Sequence, residues 1–153
     1  MQSFPKTIVL RHRKENLKKC SLSGLEERDD FVFYTYPRDK VQGINGYILL
    51  DMNAEPLSEA DANCGLFILD GTWRYAEKMY ENTPGLNKLI RRSIPQHFIT
   101  AYPRKQEDCP EPSRGLASVE AIYIAYHLME RDKTGLLDHY HWKDRFLEMN
   151  DWN

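Results

Sequence analysis

The stretch that decides the fold is Leu66–Trp73, LFILDGTW, in which four apolar residues lead directly into an acid, a glycine and a tryptophan. A short apolar run of this kind predicts a buried β-strand. Trp73, Ala76 and Tyr80 follow at helical spacing, so the strand is predicted to lead straight into a helix. Asp70 then lies at the carboxyl end of a strand, where ligands bind in open α/β sheets.

Further strands are predicted on the amino-terminal side of this stretch. The segments KTIVLRH (6–12), DFVFYTYP (30–37) and GYILLD (46–51) are rich in β-branched, aromatic or aliphatic residues and are bounded by charges or turn residues. A helix that Ser58 opens is predicted over SEADANC (58–64). Near-continuous apolar strands that alternate with helical patterns favour a mostly parallel sheet with helices on both faces. The predicted fold class is therefore α/β.

The carboxyl-terminal side is predicted to add more helices and one more strand. NKLIRRSI (87–94) predicts a basic helix that breaks at Pro95, and HFITAY (97–102) predicts a strand. LASVEAIYIAYHLMERD (116–132) is apolar on nearly every side, which is typical of a helix inside a core. TGLLDHYHWKDRFLEMNDW (134–152) predicts a more polar helix that packs on the outside.

Composition indicates an ordinary globular protein of one domain. The chain has 153 residues, of which 41% are hydrophobic and 29% charged. No apolar run approaches the roughly 20 residues that span a bilayer, and the first residues lack the pattern of a secretory signal. Three cysteines, with no C-x-x-C pair, argue against a disulfide framework and a structural zinc site. We therefore expect a cytoplasmic protein without membrane association and without a metal.

Positive charge is concentrated in two segments. Residues 1–20 and residues 87–106 each carry a net charge of +5, which leaves −12 for the remainder of a chain whose net charge is −2. Cations sorted in this way are typical of a face that binds a polyanion. A solvated surface is the alternative for either segment taken alone. Together the two segments favour RNA or DNA as a partner.

The motif residues also have purely structural interpretations. Asp70 is a preferred helix N-cap, a role worth about 1 kcal/mol, and Trp73 is then a core residue. In PSRGLASVEA (112–121), Ser118 is a possible N-cap and Glu120 a favourable acid near the positive end of a helix. From either stretch alone, these interpretations suffice.

The two stretches in this order resemble a known family. LDGTW (69–73) followed by GLASVEA (115–121) is similar to the DTW-domain superfamily, which transfers the 3-amino-3-carboxypropyl (acp) group of S-adenosylmethionine (SAM) to uridine-type bases in RNA. ENLKKCSLSGL (15–25) and GYILLDMNAEPLSEAD (46–61) resemble the small-subunit rRNA aminocarboxypropyltransferases of ribosome biogenesis. AYPRKQ (101–106) is closer to the tRNA-modifying DTW proteins, so tRNA stays open as a substrate.

The resemblance implies a SPOUT-like α/β fold whose carboxyl-terminal half forms a trefoil knot around the SAM site. It implies an N-terminal α/β lobe over residues 1–92, which contacts RNA and SAM, and a C-terminal lobe over residues 93–153, which holds the buried helix. The two lobes share one core. SAM is expected as co-substrate, no metal is expected, and the protein is expected to be a monomer.

The resemblance also implies which residues form the SAM site. Asp70 is the catalytic residue, which takes the uridine N3 proton, because a carboxylate within hydrogen-bond reach can act as a general base. Trp73 packs against the methionine chain and Ser21 holds the amino-acid end. Positioning decides which carbon of SAM reacts, and a misplacement of about 1 Å can cost on the order of 10²-fold. The residues implied to bind SAM are Ser21, Leu69, Asp70, Trp73, Ile94, Arg114, Leu116 and Ser118.

The two basic segments supply the predicted RNA contacts. These are Arg11, Arg13, Lys14, Lys18, Lys19, Arg91, Arg92, Arg104 and Lys105. Two other functions remain open at this point. One is a SPOUT RNA methyltransferase that uses the same SAM site, and the other is a non-catalytic RNA-binding protein of ribosome assembly, in which Asp70 is a helix cap.

Overall fold

One parallel sheet organises the molecule, in a computed structural model that describes residues 4–14, 21–51, 53–102 and 116–152. Within these ranges, five strands lie side by side in the order β2-β1-β4-β3-β5. The strands are β1 (Thr7–His12), β2 (Phe31–Tyr36), β3 (Tyr47–Leu50), β4 (Gly65–Asp70) and β5 (Ile90–Arg92). The helices are α1 (Trp73–Asn82), α2 (Ser118–Leu128) and α3 (Lys143–Met149).

Every strand pair in this sheet is parallel, so all carboxyl ends meet at one edge. β1 pairs with both β2 and β4, and β4 pairs with β3. The register of β1 and β4 places Arg11 opposite Asp70 at that edge. Two residues far apart in sequence, of opposite charge, are thereby brought side by side.

Alternation along the strands divides the apolar side chains between the two faces. Val9 and Ile68 belong to a large cluster that also contains residues of α2 and α3. Ile8, Leu10 and Phe67 belong to a smaller cluster with Met79 of α1. The prediction of a parallel α/β fold with helices on both faces is confirmed.

Two predicted elements are wrong. Residues 87–94 do not form a basic helix, because a short 3-10 turn (Leu86–Lys88) is followed by β5, whose backbone pairs with β3. The segment 97–102 is not a strand in the structure. β5 is a three-residue edge strand with two exposed side chains, so it lacks the apolar alternation that normally reveals a strand.

Two other elements exist but are shorter than predicted. Ser58 does open a turn, since its hydroxyl accepts a hydrogen bond from the Ala60 amide (3.3 Å), but the element is a single 3-10 turn over Glu59–Asp61. The last helix occupies Lys143–Met149 only, and turns precede it. Phe146 of this helix is fully buried, so its inner side belongs to the core.

The division at residue 92 stays a prediction. It falls directly after β5, and the larger apolar cluster contains residues from both sides of it. No helix among the described residues is long and apolar enough to cross a membrane.

Candidate functional site

The candidate site is built around Asp70, the last residue of β4. Asp70 is only 4% exposed, although it lies at the edge of the sheet. Its Oδ1 accepts a hydrogen bond from the Ser118 hydroxyl (2.8 Å), and its Oδ2 accepts one from Arg11 Nε (3.2 Å). The carboxylate therefore joins β4 to β1 and to the first residue of α2. The Arg11 guanidinium compensates the charge of this buried carboxylate.

Arg11 extends this contact to a second acid. Its Nη1 donates to Oε2 of Glu26 at 3.0 Å, and its guanidinium lies 4.8 Å from the centre of the Phe33 ring. Oε1 of Glu26 accepts the Gly24 amide at 2.8 Å. Burial raises the pKa of Glu26, but the backbone amides of Glu26 and Gly24 and the Arg11 guanidinium outweigh it and hold that pKa below its ordinary value.

Ser21 closes the arrangement into a ring. Its hydroxyl oxygen accepts the backbone amide of Val119 at 3.2 Å, in the first turn of α2. That amide is one of those that a helix leaves unpaired at its amino end. Hydrogen bonds thus run from Ser21 to α2, from Ser118 to Asp70, and through Arg11 to Glu26. Glu26 lies five residues after Ser21, so the hydrogen bonds begin and end on the same segment of chain.

The interpretation of Asp70 and Ser118 as ordinary helix caps does not describe these contacts. Thr72 is the residue that precedes α1, while Asp70 belongs to β4. Ser118 is the first residue of α2, and its hydroxyl points to Asp70. Both side chains bond across 48 residues of sequence rather than to their own helix.

Trp73 is the first residue of α1 and is half-buried. Among the described residues, it belongs to neither apolar cluster. The Arg74 guanidinium lies 5.3 Å from the centre of its ring. The contact of this indole with SAM stays a prediction.

Three other predicted SAM contacts are apolar residues that are each partly buried. Leu69 packs against the smaller cluster, while Ile94 and Leu116 pack against the larger one. Arg114 lies outside the described residues. The structure therefore brings Ser21, Asp70 and Ser118 together, and the participation of Leu69, Ile94 and Leu116 in a ligand pocket stays a prediction.

Arg11 was predicted as an RNA contact and this placement needs correction. Its side chain is 9% exposed and is held between two carboxylates, so it belongs to the site rather than to a surface. The reason is the β1–β4 register, which turns Arg11 towards Asp70. Sequence alone shows Arg11 within a basic run, but the register of strands 59 residues apart in sequence is not visible there.

Four other cations that were predicted to contact RNA lie within the described residues, and they are more accessible than Arg11. Arg13 and Lys14, which follow β1, are exposed. Arg91 and Arg92 of β5 pair with Asp51 and Asp61, each at 3.3 Å. Four of the predicted contacts, Lys18, Lys19, Arg104 and Lys105, lie outside the described residues.

His12 adds an aromatic group beside this edge. Its ring stacks on Tyr75 of α1, with centroids 3.9 Å apart, and its Nδ1 accepts the Lys14 amide at 3.1 Å. Burial, together with the charges of Arg13 and Lys14, lowers the pKa of His12. Both effects favour the neutral imidazole.

Glu120 is the residue whose importance the sequence understated. It is fully buried in the first turn of α2, where only a favourable charge near the helix start was expected. Its two oxygens accept hydrogen bonds from Thr100, Ala101, Ala117 and Tyr140. The available signal was an acid within an otherwise apolar helix, since a buried carboxylate requires partners.

No group of three or more His, Cys, Asp or Glu side chains that could hold a metal ion occurs within the described ranges.

The chain is an α/β domain with a parallel sheet, and its charged and hydroxyl side chains gather at the carboxyl edge, where open α/β sheets bind ligands. The DTW domain family matches residues 1–147, and the chain belongs to this family. The fold is similar to the structure of the SAM-dependent rRNA:acp-transferase Tsr3 from Vulcanisaeta distributa, with a TM-score of 0.73 and 23% sequence identity over 97% of this chain and 80% of that chain. No curated protein sequence matches the chain significantly.

Proposed function

We propose that this protein transfers the 3-amino-3-carboxypropyl group of SAM to N3 of a uridine- or pseudouridine-type base in RNA, with small-subunit rRNA as the favoured substrate. The observation that carries the proposal is the ring of hydrogen bonds. It brings Ser21, Asp70 and Ser118, three residues that the family resemblance implied for the SAM site, to one place. Membership of the DTW family and the fold shared with an rRNA:acp-transferase support the reaction class.

The charges of the site fit SAM. SAM carries a positive sulfonium and an amino-acid end. Two carboxylates, Asp70 and Glu26, lie at the carboxyl edge, where both contact the Arg11 guanidinium. A carboxylate close to the sulfur favours a sulfonium, and the half-buried Trp73 ring adds cation–π attraction. The amino end of α2 favours a carboxylate, since helix dipoles are positive there.

The residues of the chain then have defined tasks. SAM, when bound, supplies a γ-methylene that is activated by the positively charged sulfur. Asp70 accepts the N3 proton of the base, held in orientation by Arg11 and Ser118. Trp73 packs against the methionine chain, so that the γ-methylene rather than the methyl group faces the base. Ser21 fixes the amino-acid end next to α2.

The strand order supports RNA binding at the same edge. β1 and β5 both end at the carboxyl edge, with β4 and β3 between them. Three strand spacings of about 4.8 Å separate β1 and β5 by roughly 14 Å. Arg13 and Lys14 on one side and Arg91 and Arg92 on the other therefore flank the strand that carries Asp70. This spacing suits a phosphate backbone that crosses the edge on both sides of the reacting base.

Three further expectations belong to the proposal. The carboxyl-terminal half is proposed to form the SPOUT-like trefoil knot of the family around the SAM site. The protein is proposed to act as a monomer and in the cytoplasm. The family resemblance supports the first expectation, and the sequence composition supports the last.

The by-product of the reaction tests the proposal directly. Incubation with SAM and total RNA is expected to release 5′-methylthioadenosine, because acp transfer leaves the methyl group on sulfur. Release of S-adenosylhomocysteine would instead identify a methyltransferase that uses the same site. Intact SAM, with RNA bound, would identify a non-catalytic RNA-binding protein. Separate rRNA and tRNA fractions then identify the substrate class.

The RNA face is tested by paired charge removal. Arg13→Ala with Lys14→Ala, and Arg91→Ala with Arg92→Ala, are each expected to weaken RNA binding. Each pair is expected to reduce the salt dependence of binding, because a protein that neutralises fewer phosphates releases fewer counterions from the RNA. Arg38→Ala, an exposed cation outside both basic segments, is the matched control. Salt slopes equal to wild type in both double variants would contradict a two-sided RNA face.

A further inference from the structure

The loop that carries Ser21 and Glu26 is covered by a segment from a distant part of the chain. This segment, residues 134–140, lies among the turns that precede α3. The imidazole of His139 packs directly against Gly24, since a Cβ atom at position 24 would lie 2.3 Å from Cδ2 and 2.7 Å from Cγ of that ring. These distances leave no room for a side chain at position 24.

We propose that His139 is a positioning residue of the SAM site, because its ring holds the turn at Gly24 and thereby keeps Ser21 in contact with α2. The inference rests on the proposed function, in which Ser21 fixes the amino-acid end of SAM. His139 acts through this loop and not through a contact with SAM or the base.

The 134–140 segment is itself anchored to the core. The Tyr140 hydroxyl donates to Oε2 of Glu120 at 2.9 Å, and Glu120 is fully buried in the first turn of α2. Leu136 and Leu137 are buried in the larger apolar cluster. The ring that covers the loop is therefore carried by a part of the chain that is tied both to α2 and to the core.

Three described contacts hold the loop along its length. At one end, the Ser21 hydroxyl accepts the Val119 amide at 3.2 Å. At the other end, Nη1 of Arg28 donates to the Thr134 carbonyl at 2.8 Å. The His139 ring covers the turn between these two points. Because the loop is fixed in its middle as well as at both ends, fewer of its conformations move the Ser21 hydroxyl away from α2.

A loop that is already held in place lowers the cost of binding SAM. A ligand binds only the fraction of molecules in which its site is formed, so the apparent dissociation constant rises as that fraction falls. If removal of the His139 ring leaves the loop formed in about 10 to 30% of molecules, SAM binding weakens about three- to tenfold. Saturating SAM restores the formed loop, so turnover under those conditions changes little.

The first experiment compares wild type, His139→Ala and His139→Phe by calorimetric titration with SAM and by turnover at saturating SAM. We expect His139→Ala to weaken SAM binding about three- to tenfold and to keep turnover within about threefold. His139→Phe keeps an aromatic ring over Gly24 and is expected to bind SAM within about twofold of wild type. His141→Ala, an exposed histidine two residues further on, is the matched control and is expected to bind SAM as wild type does.

A substitution at Gly24 tests the same contact from the other side. Gly24→Ala places a methyl group against the His139 ring and strains a left-handed backbone with a φ of +95°, so we expect SAM binding to weaken about tenfold or more. In a protein that also carries His139→Ala the methyl group meets no ring, so the double variant is expected to bind SAM no more weakly than Gly24→Ala alone. Gly43→Ala is the control for backbone strain, because Gly43 has a φ of +69° and no described atom within 4 Å of an added Cβ.

Two results would overturn the inference. One is unchanged SAM affinity in His139→Ala, and the other is a His139→Phe protein that binds SAM as weakly as His139→Ala. Both leave the proposed function in place when the wild-type protein releases 5′-methylthioadenosine. A wild-type protein that binds SAM without this release would contradict the proposed reaction alone, since the SAM titrations decide the inference. A wild-type protein that binds no SAM would contradict both. Thermal melting of each variant shows that folded proteins are compared.

Discussion

Two buried carboxylates lie near the start of α2, and they differ in what surrounds them. Asp70 is 4% exposed at the edge of the sheet and is bonded to a cation and a hydroxyl, whereas Glu120 is 0% exposed. Four neutral donors surround Glu120, at 2.6 to 2.9 Å: the Thr100 hydroxyl, the Ala101 and Ala117 amides and the Tyr140 hydroxyl.

The difference assigns the two acids different tasks. Glu120 ties three segments of chain to α2, and its charge is enclosed by the donors that it orders. Asp70 also joins three elements, but it does so at the end of a strand, beside a partly exposed tryptophan. In the sequence both acids have the same apparent role near a helix start. Their surroundings favour an architectural role for Glu120, and those of Asp70 agree with the ligand-binding role that we propose for it.

The largest expected effect is on turnover. Asp70→Asn is expected to lower the rate of acp transfer by roughly 10²- to 10⁴-fold, because the amide cannot accept the base proton. The free energy of unfolding is expected to fall by only about 1–2 kcal/mol, since Arg11 keeps Glu26 as a partner. Single-turnover kinetics at saturating SAM and urea unfolding measure the two quantities.

Asp29→Asn, an exposed substitution of the same kind, is the control for Asp70→Asn. Full activity in a stable Asp70→Asn protein would end the catalytic interpretation of this residue. It would also mean that Asp70 and Glu120 do not differ in function.

Glu120→Gln is expected to produce the largest loss of stability. The amide nitrogen replaces an acceptor oxygen and faces donors, so at least one buried donor loses its partner. We expect the free energy of unfolding to fall by about 3 kcal/mol, while folded protein keeps turnover within about threefold. Urea unfolding measures this, with the exposed Glu77→Gln as control. A smaller loss than in Asp70→Asn would reverse the assignment of tasks.

Tyr126, also on α2, extends the comparison to alkaline pH. Burial raises the pKa of Tyr126 to about 12, and its hydroxyl bonds to Thr7 and Asp30. Between about pH 10 and 12 the unfolded chain has lost this proton and the folded chain has kept it. The free energy of unfolding therefore falls as pH rises through this window, by about 2–3 kcal/mol in total.

Unfolding at pH 9 and at pH 11.5 measures the Tyr126 effect. Tyr126→Phe is less stable at pH 9, because the phenyl ring cannot form the two hydrogen bonds, but it is expected to show a shallower decline with pH. Identical declines in the two proteins would show that α2 does not hold the neutral phenol.

The smallest expected effect concerns Trp73. Trp73→Ala is expected to weaken SAM binding by about tenfold, through loss of packing and of cation–π attraction. Its melting temperature is expected to stay close to that of wild type, because the indole lies outside both apolar clusters. Calorimetric titration and thermal melting test the pair of expectations. Unchanged SAM affinity together with a lost melting transition would show that Trp73 is a core residue.

The sequence predicted those parts of the fold that can be recognised from a single short segment of residues. β4 and its neighbours are apolar runs bounded by turns, and α2 is apolar on nearly all sides, so neither needs knowledge of its partners. β5 has no such signal. Its three residues are a strand because β3, from a much earlier part of the chain, supplies the hydrogen bonds.

The candidate site divides in the same way. Asp70 was found because it ends a strand, and Ser118 because it opens a helix. The Arg11–Glu26 contact and the four donors of Glu120 depend on strand register and on loops packed from elsewhere. The sequence shows which acids, bases and hydroxyls are present, but only the folded chain shows which of them contact each other.

The unequal apolar clusters on the two faces have a consequence for motion. Among the described residues, twenty are buried in the cluster beneath α2 and α3, and six in the cluster beneath α1, to which α1 contributes Met79. Elements that bury little apolar surface open at lower free energy than the rest of a domain. We therefore expect the amides of α1 to exchange with solvent through local opening, and those of α2 to exchange only when the whole domain unfolds. Under the proposed function, SAM bound against Trp73 stabilises the part of the molecule that we expect to open most readily.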